Sequence, residues 1–203
     1  MARLQRSEDG VVKERVRTGG RSARIQSAVH EAVKKLSATT SRDALTVPQI
    51  AAEAGVTPST IYRRWGDLAA LLADVAVERL RPVADPEDTG SAASDLRVFV
   101  EQYMEEMSSE VGRALIRDTL GAGPGEPYPS ACAGFTSNHL KTIAERAKAR
   151  GETAFDVSEV EDKVIAPILY NILFGRRDLT AEYCRSLLGC VQSLRPRMDR
   201  TEM

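Results

Sequence analysis

The twenty residues from Thr46 to Trp65, TVPQIAAEAGVTPSTIYRRW, constrain this chain more than any other stretch. They hold two helix starts and one helix stop. Thr46 offers an N-cap oxygen, Pro48 sits in a first turn where its missing N–H costs little, and Gln49 completes a capping-box pattern. Gly55 falls where a helix ends on a left-handed residue. Thr57 and Pro58 then repeat the cap-and-proline start. Ala51 is small enough to let the second helix approach the first, and Ile61, six positions after the glycine, is placed to lock the pair. That spacing alone recurs in many helical proteins. Caps on both sides of a short turn narrow it to a helix-turn-helix.

The rest of the chain reads as helices too. Ile25, Ala28, Val29, Ala32, Val33 and Leu36 form one helical face from Arg21 onward, and a fourth helix opens at Asp67 and stops at Arg81-Pro82. Residues 82–94, PVADPEDTGSAAS, have the composition of a boundary. Beyond them come an apolar stripe from Leu96 to Met107, a helix from Val111 to Leu120, and one from Ser130 to Ala149. Two strongly apolar helices follow, at about 158–174 and 180–194. Ser158 to Glu161 reads as the capping box of the first of these, and Pro167 is expected to kink it. No stretch alternates as a strand does. The expected fold is all-α with about nine helices: a flexible basic arm over 1–20, a helix-turn-helix domain over 21–81 and a helical body over 95–196.

Charge divides the chain in the same way. The net charge is only −1. Residues 1–81 carry 14 basic against 9 acidic side chains, and residues 82–203 carry 14 against 20. A basic front on an acidic body fits a protein that meets a polyanion at one end; a solvated charged tail is the plainer alternative. Three cysteines without metal spacing, no secretory apolar segment and no bilayer-length apolar run fit a cytoplasmic protein with reduced thiols and no membrane contact. Two histidines, no nucleophile elbow, no Walker loop and no dinucleotide fingerprint argue against an enzyme, and no cofactor or metal is expected.

The segment LTVPQIAAEAGVTPSTIYRRWGDLAALL resembles the DNA-binding part of the TetR family, with its I-A-x-x-A-G-V core and a recognition helix ending in tyrosine plus an aromatic. With the preceding helix the likeness covers about residues 21–72; the remainder resembles the family in helix count and layout. The resemblance implies a DNA-binding transcriptional regulator, a repressor acting as a homodimer on double-stranded operator DNA under control of a small-molecule effector. A helical ligand-binding or interaction protein without specific DNA binding is the alternative, and a small α-helical enzyme stands behind it.

Residue roles follow from that likeness and from chemistry. Thr57, Pro58, Ser59 and Thr60 occupy the first turn of the recognition helix, which meets base edges. Tyr62, Arg63 and Arg64 resemble phosphate clamps, and Arg21 and Arg24, with Arg15 and Arg17 of the arm, track the backbone or enter the minor groove. Thr46 has two readings, capping alone or capping plus phosphate contact; Trp65 reads better as core than as a base reader. Leu68, beside Asp67, stands where the family often has a phosphate-binding lysine. In the body, Ile165, Ile168, Leu169, Ile172, Leu187 and Val191 are the expected dimer interface, with a buried core as the alternative. Phe99, Tyr103, Met104, Met107, Phe135, His139, Tyr170 and Phe174 are the expected pocket wall, with core packing again the alternative.

Overall fold

A computed structural model describes residues 19–123, 125–153 and 155–194. Residues 1–18, and with them Arg15, Arg17 and most of the expected arm, lie outside the described residues. Every regular element among the described residues is helical. They divide into two compact units between Arg63 and Arg64.

The first unit contains helix α1 (Gly19–Ser37), a 3-10 turn (Arg42–Ala44), α2 (Val47–Ala54) and most of α3 (Pro58–Trp65). Its core consists of the stripe read from sequence: Val29, Ala32 and Val33 of α1, Leu45, Val47, Ile50 and Ala51 around α2, and Ile61 of α3 are all buried.

The second unit begins with α4 (Leu68–Leu80), α5 (Ala92–Ser108), α6 (Glu110–Gly121) and α7 (Tyr128–Ala149). It continues through α8 (Val157–Val160), a π-helical turn (Glu161–Ile165), α9 (Ala166–Phe174), α10 (Ala181–Leu188) and a 3-10 turn (Gln192–Leu194). With α8, the π turn and α9 counted as one rod, nine α-helical rods are described. Helix α4 packs on α6 and α7, so the compact units part upstream of the 82–94 segment at which the sequence sets its boundary. Leu96, Val100, Leu140, Ile143, Val160, Val164, Ile168 and Val191 are fully buried in the core of this unit. Gly112 permits the α5–α6 corner: a Cβ there would lie 2.1 Å from the Glu106 carbonyl oxygen. No helix among the described residues is long and apolar enough to cross a membrane.

Three expectations change. The rod expected over about 158–174 starts on Asp156, whose carboxylate accepts from the Ser158 N–H at 2.9 Å, so Glu161 is not part of a cap. Pro167 produces a widened turn in place of a simple kink. Proline has no N–H to give the carbonyl four residues back, and its ring crowds that carbonyl. The Ala166 N–H instead donates to the Glu161 carbonyl, five residues back, before α9 resumes. The last helix is also shorter than expected, ending at Leu188 before Gly189.

Candidate nucleic-acid interface and effector cavity

The recognition element is built by short-range contacts. The Thr46 side chain accepts from the Gln49 N–H at 3.4 Å, while the Thr46 N–H donates to Gln49 Oε1 at 3.0 Å. This reciprocal capping box fixes the start of α2. The Thr46 hydroxyl also lies 2.8 Å from Gln49 Oε1, so it is engaged within the chain. At the other end Gly55 takes φ 66° and ψ 31°, and the Val56 N–H donates back to the Ala51 carbonyl at 2.9 Å. That left-handed residue turns the chain sharply enough for α3 to begin three residues later. Ile61 is fully buried, which fixes the rotation of α3 about its axis.

Fixing that rotation decides what α3 exposes. Thr57, Pro58, Ser59, Tyr62, Arg63 and Arg64 are exposed and Thr60 is half-buried. The Thr57 hydroxyl lies 2.9 Å from the Ser59 hydroxyl and 3.0 Å from that of Thr60. Each hydroxyl both donates and accepts, so this trio keeps spare valences for base edges. The Arg64 guanidinium lies 5.1 Å from the Trp65 ring centroid. Trp65 is buried, and its ring N–H donates to Asp74 of α4 at 2.8 Å. Asp67 caps α4, accepting from the Ala70 N–H at 2.8 Å. Arg21 and Arg24 are exposed on the first turns of α1, which begins two residues before the expected start.

The body holds a cavity of about 1130 Å³. Phe99, Tyr103, Met107, Phe135 and His139, five of the eight expected wall residues, line it. Phe99 meets His139 edge-on with centroids 5.5 Å apart, and Tyr103 lies 6.2 Å from Phe99. Burial, with Cys132 nearby, pushes the Tyr103 phenol well above its ordinary range, so this wall presents a neutral hydroxyl. Burial likewise pushes the Cys132 thiol up, against a hydrogen bond with Thr119.

The other three wall residues are corrected. Met104 points into the core, while Tyr170 and Phe174 sit on the outer surface of α9 with rings 4.7 Å apart. One residue along a helix turns a side chain by about 100° to another face, and apolar type alone does not say which face is the cavity's. The expected interface is corrected for the same reason. Ile165, Ile168, Ile172 and Val191 are buried in the chain's own core, and Leu169 and Leu187 pack half-buried against it. The outward apolar residues of α9 are Tyr170 and Phe174, while the exposed Leu173 borders the cavity.

Sequence reading missed two parts of the wall. One is the segment from Arg79 to Glu87, read as the end of the fourth helix and the start of the boundary, which lines the cavity. It is held there by Arg146 of α7, which donates to the Pro86 carbonyl at 2.6 Å and pairs with Asp85 at 3.7 Å. The other is Glu161, read as a cap, which takes a hydrogen bond from the Ser137 hydroxyl.

Residues 32–75 match the family described as bacterial regulatory proteins, tetR family, and residues 86–191 match the tetracyclin repressor-like C-terminal domain. The chain is 43% identical over 154 residues to an uncharacterized HTH-type transcriptional regulator, Rv1556, of Mycobacterium tuberculosis, covering 73% of this chain and 76% of that one. It is 30% identical over 135 residues to the HTH-type transcriptional regulator AqdR of Rhodococcus erythropolis, covering 65% of each. Among solved structures, the flavonoid-responsive regulator FrrA superposes with a TM-score of 0.52 at 22% identity, covering 82% of this chain and 94% of that one. A shared capped helix-turn-helix, a shared helical body and this level of identity have one reading: the chain belongs to the TetR family of DNA-binding transcriptional regulators.

Proposed function

We propose that this regulator is a repressor that binds operator DNA as a homodimer and that a small molecule in the body cavity lowers its operator affinity. The observation that carries the reading is the exposed α3 face. Ser59 and Thr60 stand at its start for base edges, and Tyr62, Arg63 and Arg64 toward its end for phosphates. Arg21 and Arg24 of α1 add backbone contacts. A reading helix of eight residues spans only a few base pairs, so useful affinity needs two half-sites and hence two copies. The outward apolar pair of α9, Tyr170 and Phe174, is the surface assigned to the partner copy, in place of the residues buried beneath it. Acting on a chromosomal operator, the protein works in the cytoplasm.

The effector acts only through its differential affinity for the DNA-competent and DNA-released states, and the coupling is reciprocal. Selection of bound fragments from a random DNA pool tests the reading. The expected consensus is a palindrome with half-site centres roughly 34–36 Å apart, or a small multiple of that. Binding should weaken steeply with added salt. A pool that yields no consensus would leave the helical ligand-binding alternative.

A further inference from the structure

We propose that the cavity is built for a bulky organic cation, with its apolar body against the aromatic wall and its positive group at Glu161. The inference rests on the cavity being the effector site. At about 1130 Å³ the space is as large as pockets that enclose multi-ring ligands. Phe99, Tyr103, Phe135 and Met107 supply faces and soft edges for such a body.

The charges around this apolar space are one-sided. Five carboxylates border it (Asp85, Glu87, Glu106, Glu161 and Asp162) against two arginines, Arg79 and Arg81. Arg81 is already paired with Glu78 at 3.1 Å and lies 5.5 Å from the Phe135 ring centroid, and Asp85 is held by Arg146. That leaves Glu87, Glu106, Glu161 and Asp162 facing Arg79.

Glu161 is the sharpest of these groups. It is half-buried and takes a hydrogen bond from the Ser137 hydroxyl, and among the described residues no lysine, arginine or histidine pairs with it. A carboxylate has room for about four hydrogen bonds, and removing one from water without a cation is costly. Its position is imposed by the backbone, because the π turn that Pro167 forces starts at Glu161. The turn lays Glu161, Asp162, Ile165 and Ala166 along the cavity. A bound cation satisfies Glu161 while lying over aromatic rings, where cations are also attracted. An anion would meet the excess of carboxylates, and a neutral ligand would desolvate Glu161 further without pairing it.

Tetraphenylphosphonium and tetraphenylborate present the same four phenyl groups with opposite charge, so they separate charge from shape. Each is titrated calorimetrically into the full-length protein without DNA, beside Glu161→Gln, Glu106→Gln and Ala133→Trp, the last placing an indole on the cavity wall. The expected result is tetraphenylphosphonium bound about tenfold or more tighter than tetraphenylborate, with Glu161→Gln removing about tenfold of that and Glu106→Gln less. Ala133→Trp should abolish binding of both. If both ions bind equally, both are blocked by Ala133→Trp and Glu161→Gln changes neither, the cavity reading stands and the cation inference is overturned. If neither binds, or Ala133→Trp blocks neither, the cavity reading falls and this inference with it.

Discussion

Within each unit the polar contacts have a different reach. In the first, the contacts that shape the recognition element join residues two or three apart: Thr46 with Gln49, Thr57 with Ser59, Thr57 with Thr60. In the second, the deciding contacts join residues more than fifty apart. Arg150, at the C-terminal end of α7, meets Asp88 at 2.9 Å, 62 residues away, and Asp95 at 2.9 Å, 55 away. Glu152 accepts from the Ala92 N–H at 2.8 Å across 60 residues, and Arg113 donates to the Ile172 carbonyl at 2.7 Å across 59. Short-range contacts specify a shape that tolerates a varied partner. Long-range ones specify where helices lie relative to each other, and therefore the cavity between them.

The largest effect should come from breaking the long-range set. The Asp95 carboxylate is fully enclosed, with side-chain exposure 0%, and takes the Thr89 N–H at 2.6 Å and hydroxyl at 2.7 Å as well as Arg150. Asp95→Ala leaves these donors facing a buried void. The body should lose about 3–5 kcal/mol, toward the lower figure because Arg150 keeps Asp88 and Glu152, read as a drop in the denaturant midpoint at unchanged slope. The same cluster sets an acid limit. Burial alone would raise the Asp95 pKa, but the Thr89 bonds and Arg150 outweigh it and hold it below the usual value of 3.8. A folded-state pKa below the unfolded one gives stability that is present above the unfolded value and lost as pH falls through the folded one. Wild-type stability should therefore decline below about pH 4, and Asp95→Asn should flatten that decline. An equal acid slope in the variant would remove Asp95 from this role.

Two glycines sharpen the contrast. At Gly112 an added Cβ would sit 2.1 Å from the Glu106 carbonyl oxygen and 2.8 Å from the Met107 Cα, both backbone atoms of the neighbouring helix. Gly112→Ala must move α5 and α6 apart, at about 2–3 kcal/mol. At Gly55 nothing lies within 4 Å, and Gly55→Ala meets only the left-handed backbone, about 1–2 kcal/mol. Thermal denaturation of both variants checks the order. Gly55 was legible in sequence because its reason is local: a helix has just ended and the next is about to start. Gly112 was not, because its reason is a close approach that only the packed corner reveals. The same distinction explains why Ala51, Ile61 and the Thr46 capping box were read correctly while Met104, Tyr170 and Ile168 were given the wrong surroundings. A recognition helix is written in spacing, whereas a cavity wall is written in the crossing of helices distant in sequence. Glu161 shows it most plainly, since its pattern suited a cap and its partner, Ser137, lies on α7.

The next effects belong to DNA and ask whether the short-range unit divides into readers and clamps. Arg63 is exposed, and the proposed phosphate role gives it a charge but no base to read. Arg63→Ala should weaken binding to all sequences alike and reduce the salt slope by about one counterion. Thr60→Ala should cost about 1–3 kcal/mol only on sites with the preferred base at one position of each half-site. Fluorescence anisotropy on matched and mismatched duplexes at several salt concentrations measures both. Identical behaviour of the two variants would erase the division.

The smallest effect probes how local the first unit is. Thr46→Ala removes the cap from α2 and should cost about 1 kcal/mol, without touching the acid limit set by Asp95. The cap is reciprocal, with Gln49 Oε1 receiving both the Thr46 N–H and its hydroxyl. Gln49→Ala should therefore cost less in the Thr46→Ala background than alone, because most of its contact has already gone. A double-mutant cycle in which the two changes simply add would mean that the box is geometry without coupling. The start of the recognition element would then be held by burial of Val47 and Ile50, and the contrast between a unit tied locally and one tied at long range would narrow to the turn at Gly55.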